Sequence, residues 1–172
     1  MTDYEAFPPG PRLEPYKCAF AIRFRWFYWI ESWVASSAGL GDPTLPRYRL
    51  PLDASPEELG AAVNQALAGS VFMQNTDPRG QALFRQLLKT DRATLDAPRL
   101  ANAPVKTSAS LYRGARGCGI YLKRDRITIE PTKRDGPDGW TPLPDSAATE
   151  LAADVDEGAL GRALMDCFER SR

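Results

Sequence analysis

The side chains that ordinarily move protons near neutral pH are scarce here: among 172 residues there is no histidine. Histidine is the usual general base for a serine or cysteine nucleophile, so triads of the common type are excluded. Carboxylate pairs do occur, at Glu57-Glu58 and at Asp154 and Asp156. Both sit where helical patterns begin, and acidic groups there satisfy backbone donors and the positive end of the helix dipole. The glycine-containing Arg113-Gly-Ala-Arg-Gly117 lacks the lysine and glycine spacings of a P-loop or a dinucleotide fingerprint, and reads as a turn. Ile22-Arg-Phe-Arg-Trp-Phe-Tyr-Trp29 mixes rings with cations, which suits stacking on single-stranded nucleic acid. So many large rings in a row fit a buried strand better. Cys18, Cys118 and Cys167 are scattered and odd in number, unlike the clustered ligands of structural zinc, and they suit a reducing cytosol. The chain is therefore read as a non-enzyme with no catalytic set, no cofactor and no metal site.

Charge is balanced overall, 22 basic against 22 acidic residues, but it is segregated. Between 106 and 134, Lys106, Arg113, Arg116, Lys123, Arg124, Arg126, Lys133 and Arg134 face only Asp125 and Glu130. From Asp135 to Glu169 the acidic residues face Arg162 alone. Such asymmetry can steer a charged partner. The N-terminus lacks the basic start and apolar run of a signal peptide. The most apolar stretch, Cys18 to Ile30, is short for a bilayer and carries Arg23 and Arg25. A cytoplasmic protein with no membrane association is expected.

These residues need elements to place them. Residues 1–16, with Pro8, Pro9, Pro11 and Pro15, read as a Pro-rich, loosely attached arm, and residues 17–172 as one α+β domain. Alternation from Phe20 to Trp26 predicts a half-buried strand. Phe27 to Val34 loses the alternation and reads as a strand covered on both faces. Ala35 to Pro46 is a loop, Tyr48 to Leu52 a short strand, and Ser55-Pro-Glu-Glu58 a capping box that opens a helix. Asp77-Pro78 opens another helix. Residues 90–111 carry Pro98 and Pro104 and predict no definite element. Gly119 to Pro131 is a hairpin turning at Lys123 to Arg126, with Ile127 and Ile129 on one face and Thr128 and Glu130 on the other. Lys133 to Trp140 reads as a loop. Overlaying Leu59-Gly60 on Leu160-Gly161 also places Asp53 on Asp154, Ser55 on Asp156 and Leu67 on Phe168. That self-similarity predicts two pseudo-repeated strand-loop-strand-helix halves on a mostly antiparallel sheet, with helices packed on it.

Tyr48-Arg-Leu-Pro-Leu-Asp-Ala-Ser-Pro-Glu-Glu-Leu-Gly60 resembles a segment of the immunity proteins of bacterial contact-dependent growth inhibition. The C-terminal half is similar to the same family through Tyr112, Cys118-Gly-Ile-Tyr-Leu122, Ile127-Thr-Ile-Glu-Pro-Thr132, Trp140 and the closing Leu160-Gly161 helix. The resemblance implies a small cytoplasmic antitoxin that binds the cognate C-terminal toxin domain of an effector and blocks its active site. Because some toxins paired with the family are ribonucleases, a nuclease is the expected target. A nuclease presents a basic cleft, which the acidic stretch from Asp135 onward could complement while a few anchors supply most of the affinity. The candidate toxin-binding residues are Trp33, Asp135, Asp138, Trp140, Asp145 and Glu150. Trp33 and Trp140 equally suit closure of the core. No direct nucleic-acid contact is expected. The alternative is a nucleic-acid-binding module using the basic 106–134 region.

Overall fold

The computed structural model describes residues 12–74, 76–136, 139–144 and 147–172. Among them the chain forms nine strands and five helices. β1 (Lys17–Arg23) and β2 (Phe27–Ala35) make one long hairpin, and β6 (Arg116–Lys123) and β7 (Arg126–Asp135) another. The hairpins join through antiparallel pairing of β1 with β6, in the order β3-β2-β1-β6-β7-β8. Each outer strand of a hairpin carries two short strands end to end. β2 pairs with β4 (Arg47–Pro51) along Phe27–Glu31 and with β3 (Gly39–Gly41) along Trp33–Ala35. β7 pairs with β9 (Thr149–Ala152) along Arg126–Ile129 and with β8 (Gly139–Pro142) along Thr132–Asp135. β5 (Val71–Phe72) adds a short parallel pairing to β2. The result is a mixed α+β fold on a mostly antiparallel sheet.

One face of the sheet is covered by α1 (Pro56–Ala68) and α5 (Glu157–Arg170). Leu59, Val63, Ala66 and Leu67 of α1 and Leu160, Leu164, Cys167 and Phe168 of α5 bury against Ala19, Ala21, Ile30, Ile120, Ile127 and Ile129. The α1 cap forms as its sequence predicts: the Ser55 amide donates to Glu58 Oε2 at 2.7 Å, and the Glu58 amide donates to Ser55 Oγ at 3.2 Å. The α5 cap is simpler, with the Ala159 amide donating to Asp156 Oδ1 at 2.8 Å. The two Leu-Gly steps explain each other. A Cβ at Gly60 would collide with the Glu157 carbonyl, and one at Gly161 with the Pro56 carbonyl. Both helices thus need a residue without a side chain where their first turns cross.

The opposite face is held differently. α3 (Arg92–Leu100) and α4 (Ser108–Leu111) lie in the region that predicted no element. The Asp91 side chain accepts from the Thr94 amide at 2.7 Å, and Thr107 Oγ1 accepts from the Ser110 amide at 3.2 Å. Leu100, Ala103, Val105, Leu111, Tyr112 and Ala115 from this segment pack with Phe20, Ile22, Phe24, Phe27 and Trp29. α2 (Pro78–Leu88) starts at Asp77 as expected but buries only Gly80, and Leu88 is 62% exposed.

Several expectations are corrected. The strand expected to run on to Trp26 stops at Arg23, where the chain turns with the Phe24 amide donating to the Phe27 carbonyl at 2.9 Å. β1 is covered on both faces because it lies mid-sheet, with its small Ala19 and Ala21 under the helices. The loop expected over Ala35 to Pro46 contains β3. The loop expected over Lys133 to Trp140 is largely strand, since β7 continues to Asp135 and β8 starts at Gly139. Of the N-terminal arm, residues 12–16 are described and make specific contacts. The Leu13 backbone exchanges two hydrogen bonds with the Gln74 side chain, at 3.0 and 2.7 Å, and Glu14 pairs with Arg124 at 2.6 Å.

Candidate partner-binding face

In an antiparallel ladder, directly opposed residues project from the same side of the sheet. Successive registers therefore define rows across the face opposite α1 and α5. One row runs Trp33, Cys18, Tyr121, Thr128, Glu150. The next runs Glu31, Phe20, Gly119, Glu130. Trp140 opposes Arg134 further along β7.

This face brings Trp33 and Trp140 together although they are far apart in sequence. Trp33 stacks on Phe20 with centroids 4.7 Å apart and planes 13° apart, and Trp140 lies 5.7 Å from the same ring. Glycines make room for these rings. A Cβ at Gly39 would lie 3.0 Å from Trp33 Cε3, one at Gly117 2.8 Å from Trp140 Cε3, and one at Gly119 2.9 Å from the Tyr121 hydroxyl oxygen. Both tryptophans remain half-buried, so each closes the aromatic core and still presents an edge to solvent.

A connected ionic network fixes the rings. Glu31 accepts from Trp29 Nε1 at 2.7 Å, from Trp33 Nε1 at 2.9 Å and from Arg99 Nη2 at 2.7 Å. Arg99 Nη1 donates to the Tyr112 hydroxyl at 2.5 Å, and that hydroxyl donates to Asp96 Oδ1 at 2.6 Å. Arg92 Nε reaches Asp96 Oδ2 at 3.2 Å. Arg134 lies 3.8 Å from the Tyr112 ring centre and 5.6 Å from that of Trp140, favourable cation–π positions. Burial pushes the Glu31 pKa up. The Arg99 charge and the hydrogen bonds from Trp33, Trp29 and Arg99 outweigh it, so Glu31 stays below its usual range. Asp96 is lowered in the same way, its burial being outweighed by hydrogen bonds from Tyr112 and Ser108 and by the Arg92 and Arg99 charges. Burial drives the Tyr112 phenol up to about 12. The network holds its charges; it does not trade protons near neutral pH.

The expected acidic residues scatter. Glu150 is exposed on the face shared with Trp33. Asp135 opposes Gly139, one position out of step with Trp140, and accepts from Thr141 Oγ1 at 3.0 Å. Alternation places it on the other side of the ribbon from Trp140. Asp138 and Asp145 lie outside the described residues. The basic 106–134 run also divides. Arg116 Nη1 donates to the Phe168, Glu169 and Ser171 carbonyls and so caps the end of α5. Lys123 and Arg124 pair with Glu14, and Arg134 is stacked between two rings. Tyr121 and Glu130 join the face without having been singled out. The hairpin register carried that signal, because Glu130 shares the alternating face of Thr128, and Thr128 opposes Tyr121. The link from Glu31 to Arg99 had no such signal, since 68 positions separate the two, and the i,i+3 spacing of Asp96 and Arg99 alone says nothing of Glu31.

Among the described residues no group of three or more Cys, Asp or Glu is placed to hold a metal, and no helix is long and apolar enough to cross a membrane. The sheet is thus covered by α1 and α5 on one face and carries the aromatic cluster with the α3–α4 segment on the other. The family of CDI immunity proteins matches residues 17–171, and the chain belongs to that family. Two solved structures share the fold. A protein of unknown function, NMB0488 from Neisseria meningitidis, has a TM-score of 0.81 and 24% identity, over 95% of this chain and 99% of that one. A chain described as the CdiA-CT/CdiI toxin and immunity complex from Yersinia pseudotuberculosis has a TM-score of 0.75 and 18% identity, over 94% of this chain and 100% of that one. No curated protein sequence matches the chain. Its role is that of an immunity protein with a cognate toxin as partner.

Proposed function

We propose that this protein binds the cognate C-terminal toxin domain of a contact-dependent growth inhibition effector in the cytoplasm and neutralises it stoichiometrically by covering its active site. A nuclease is the target that best fits the chemistry. The observation that carries this reading is the convergence of Trp33 and Trp140 on Phe20, on a face presenting half-buried rings. Aromatic side chains held rigid by packing make good interface anchors, since little rotamer freedom remains to be lost on binding. The fold shared with a chain from a toxin and immunity complex supports the same reading.

The remaining candidates take unequal parts in the proposal. Glu150 shares a face with the anchors, whereas Asp135, Asp138 and Asp145 stay in the proposal only as acidic candidates from the sequence. The nucleic-acid alternative loses Arg116, Lys123, Arg124 and Arg134 to internal partners. Co-expression with the toxin domain encoded immediately upstream tests the proposal. Growth is expected to be restored, and the purified proteins are expected to form a 1:1 complex of nanomolar affinity or better, about −12 kcal/mol. Continued killing in the presence of well-expressed, folded protein would dispose of it.

A further inference from the structure

α2 carries an apolar stripe that the rest of the described fold leaves open. Gly80, Leu83, Phe84, Leu87 and Leu88 recur at the spacing of a single helical face. Only Gly80, at the middle of that face, is buried. Leu83, Phe84 and Leu87 are half-buried, and Leu88 is 62% exposed, well above Leu52 at 43% and Val71 at 39%. Leucine flanks this open, on a helix whose pattern calls for cover, mark a surface that something else occupies. The helix is also one-signed. Between Pro78 and Lys89 it exposes Arg79, Arg85 and Lys89 and contains no carboxylate.

We infer that the occupant is the chain's own segment 1–11, which lies outside the described residues: an acidic, aromatic and proline-rich stretch laid along the open flank of α2. Path, reach and charge carry the inference. The Gln74 side chain holds the Leu13 backbone at both its N–H and its C=O, at 3.0 and 2.7 Å. The Gln74 carbonyl accepts from the amide of Asp77, the α2 cap, at 3.1 Å, and a Cβ at Gly80 would lie 2.6 Å from that carbonyl. The chain preceding Leu13 is therefore delivered to the first turn of α2. The 11 residues of α2 span about 16 Å. Six residues of polyproline II, from Leu13 back to Phe7, span about 19 Å, enough to bring the Phe7 ring to the last turn, where Leu88 stands. Pro8, Pro9 and Pro11 favour that extended form and lower the entropy lost on docking. Asp3 and Glu5 then complement Arg85 and Lys89. The toxin proposed above, with a basic cleft, would meet like charge on α2, which favours the chain's own segment over that partner.

The test is amide hydrogen exchange of the intact chain, read over α2 and, as a check on the fold, over α5, in Phe7→Ser, Leu88→Ser, their double variant and the paired Asp3→Lys and Glu5→Lys variant. Leu88 is exposed, so folding survives its replacement. Phe7→Ser and Leu88→Ser are each expected to speed α2 exchange at least about fivefold while α5 stays unchanged. The double variant is expected to exchange no faster than the faster single one, because both break the same contact. The paired lysine variant should speed exchange at low salt, with the effect shrinking toward about 0.5 M. A benzophenone photocrosslinker at position 88 is expected to attach within residues 1–11 of the same chain at every protein concentration. Unchanged α2 exchange in Phe7→Ser overturns the inference. A crosslink to a second copy that grows with concentration overturns it too, as does one that forms only when the toxin domain is added. None of these outcomes decides the co-expression test, so the immunity reading stands or falls separately.

Discussion

The two faces of this sheet are held together by opposite means. Under α1 and α5 the contacts are mostly aliphatic, with one stacked ring pair of Tyr28 and Phe168, the helices cross at two glycines, and the caps are satisfied locally. On the other face, rings are arranged by a network of charges in which Glu31 alone orients two indoles and one guanidinium. Hydrophobic burial is non-directional, whereas charge-assisted hydrogen bonds fix geometry. A face that must only hold together can rely on the first. A face whose rings must stand ready for a partner gains from the second.

Breaking the network should produce the largest effect. Arg99→Ala leaves the Glu31 and Asp96 carboxylates without their shared cation and is expected to destabilise the fold by about 3–5 kcal/mol in urea unfolding at pH 7. The same variant sharpens the contrast through its pH dependence. In the native protein the folded-state pKa values of Glu31 and Asp96 lie below their ordinary 4.5 and 3.8. Their stabilising contribution is therefore complete above those values and is lost as pH falls through the lowered ones. In Arg99→Ala the attraction disappears and burial dominates at Glu31, so the stability gap from wild type should narrow between pH 7 and pH 4. A gap that stays constant would show that Arg99 does not set the Glu31 titration, and no gap at all would show that the network is energetically idle. On the helical face, Gly60→Ala sets a methyl against the Glu157 carbonyl, and a loss of about 3 kcal/mol is expected with little pH dependence. Ser55→Ala removes one half of the capping box and should cost about 1 kcal/mol, read as a small drop in the thermal midpoint.

The helical face was largely legible in the residue pattern. The Ser55–Glu58 box, the Asp156 cap, the apolar faces of α1 and α5 and the Ile127/Ile129 alternation depend on neighbours a few positions apart. The Leu-Gly steps stood out as self-similar, but their reason, a close backbone crossing, appears only when the helices meet. The aromatic face was hidden for the converse reason. α3 is held by Asp96 and Arg99, charged residues that periodicity assigns to solvent, and their partners Glu31 and Tyr112 lie in distant segments.

By itself the sequence determined the elements whose signals are local: caps, turns, alternation, the absence of histidine, and the blocks that mark an immunity protein. Only the tertiary structure decided that Trp33, Tyr121 and Glu150 share a row, that Asp135 projects away from Trp140, and that four of the basic residues serve internal partners. Strand register and the pairing of hairpins are collective outcomes of long-range packing. A single step of register moves a side chain to the other face of the sheet, so no residue's own neighbours in the chain can say which face it will occupy.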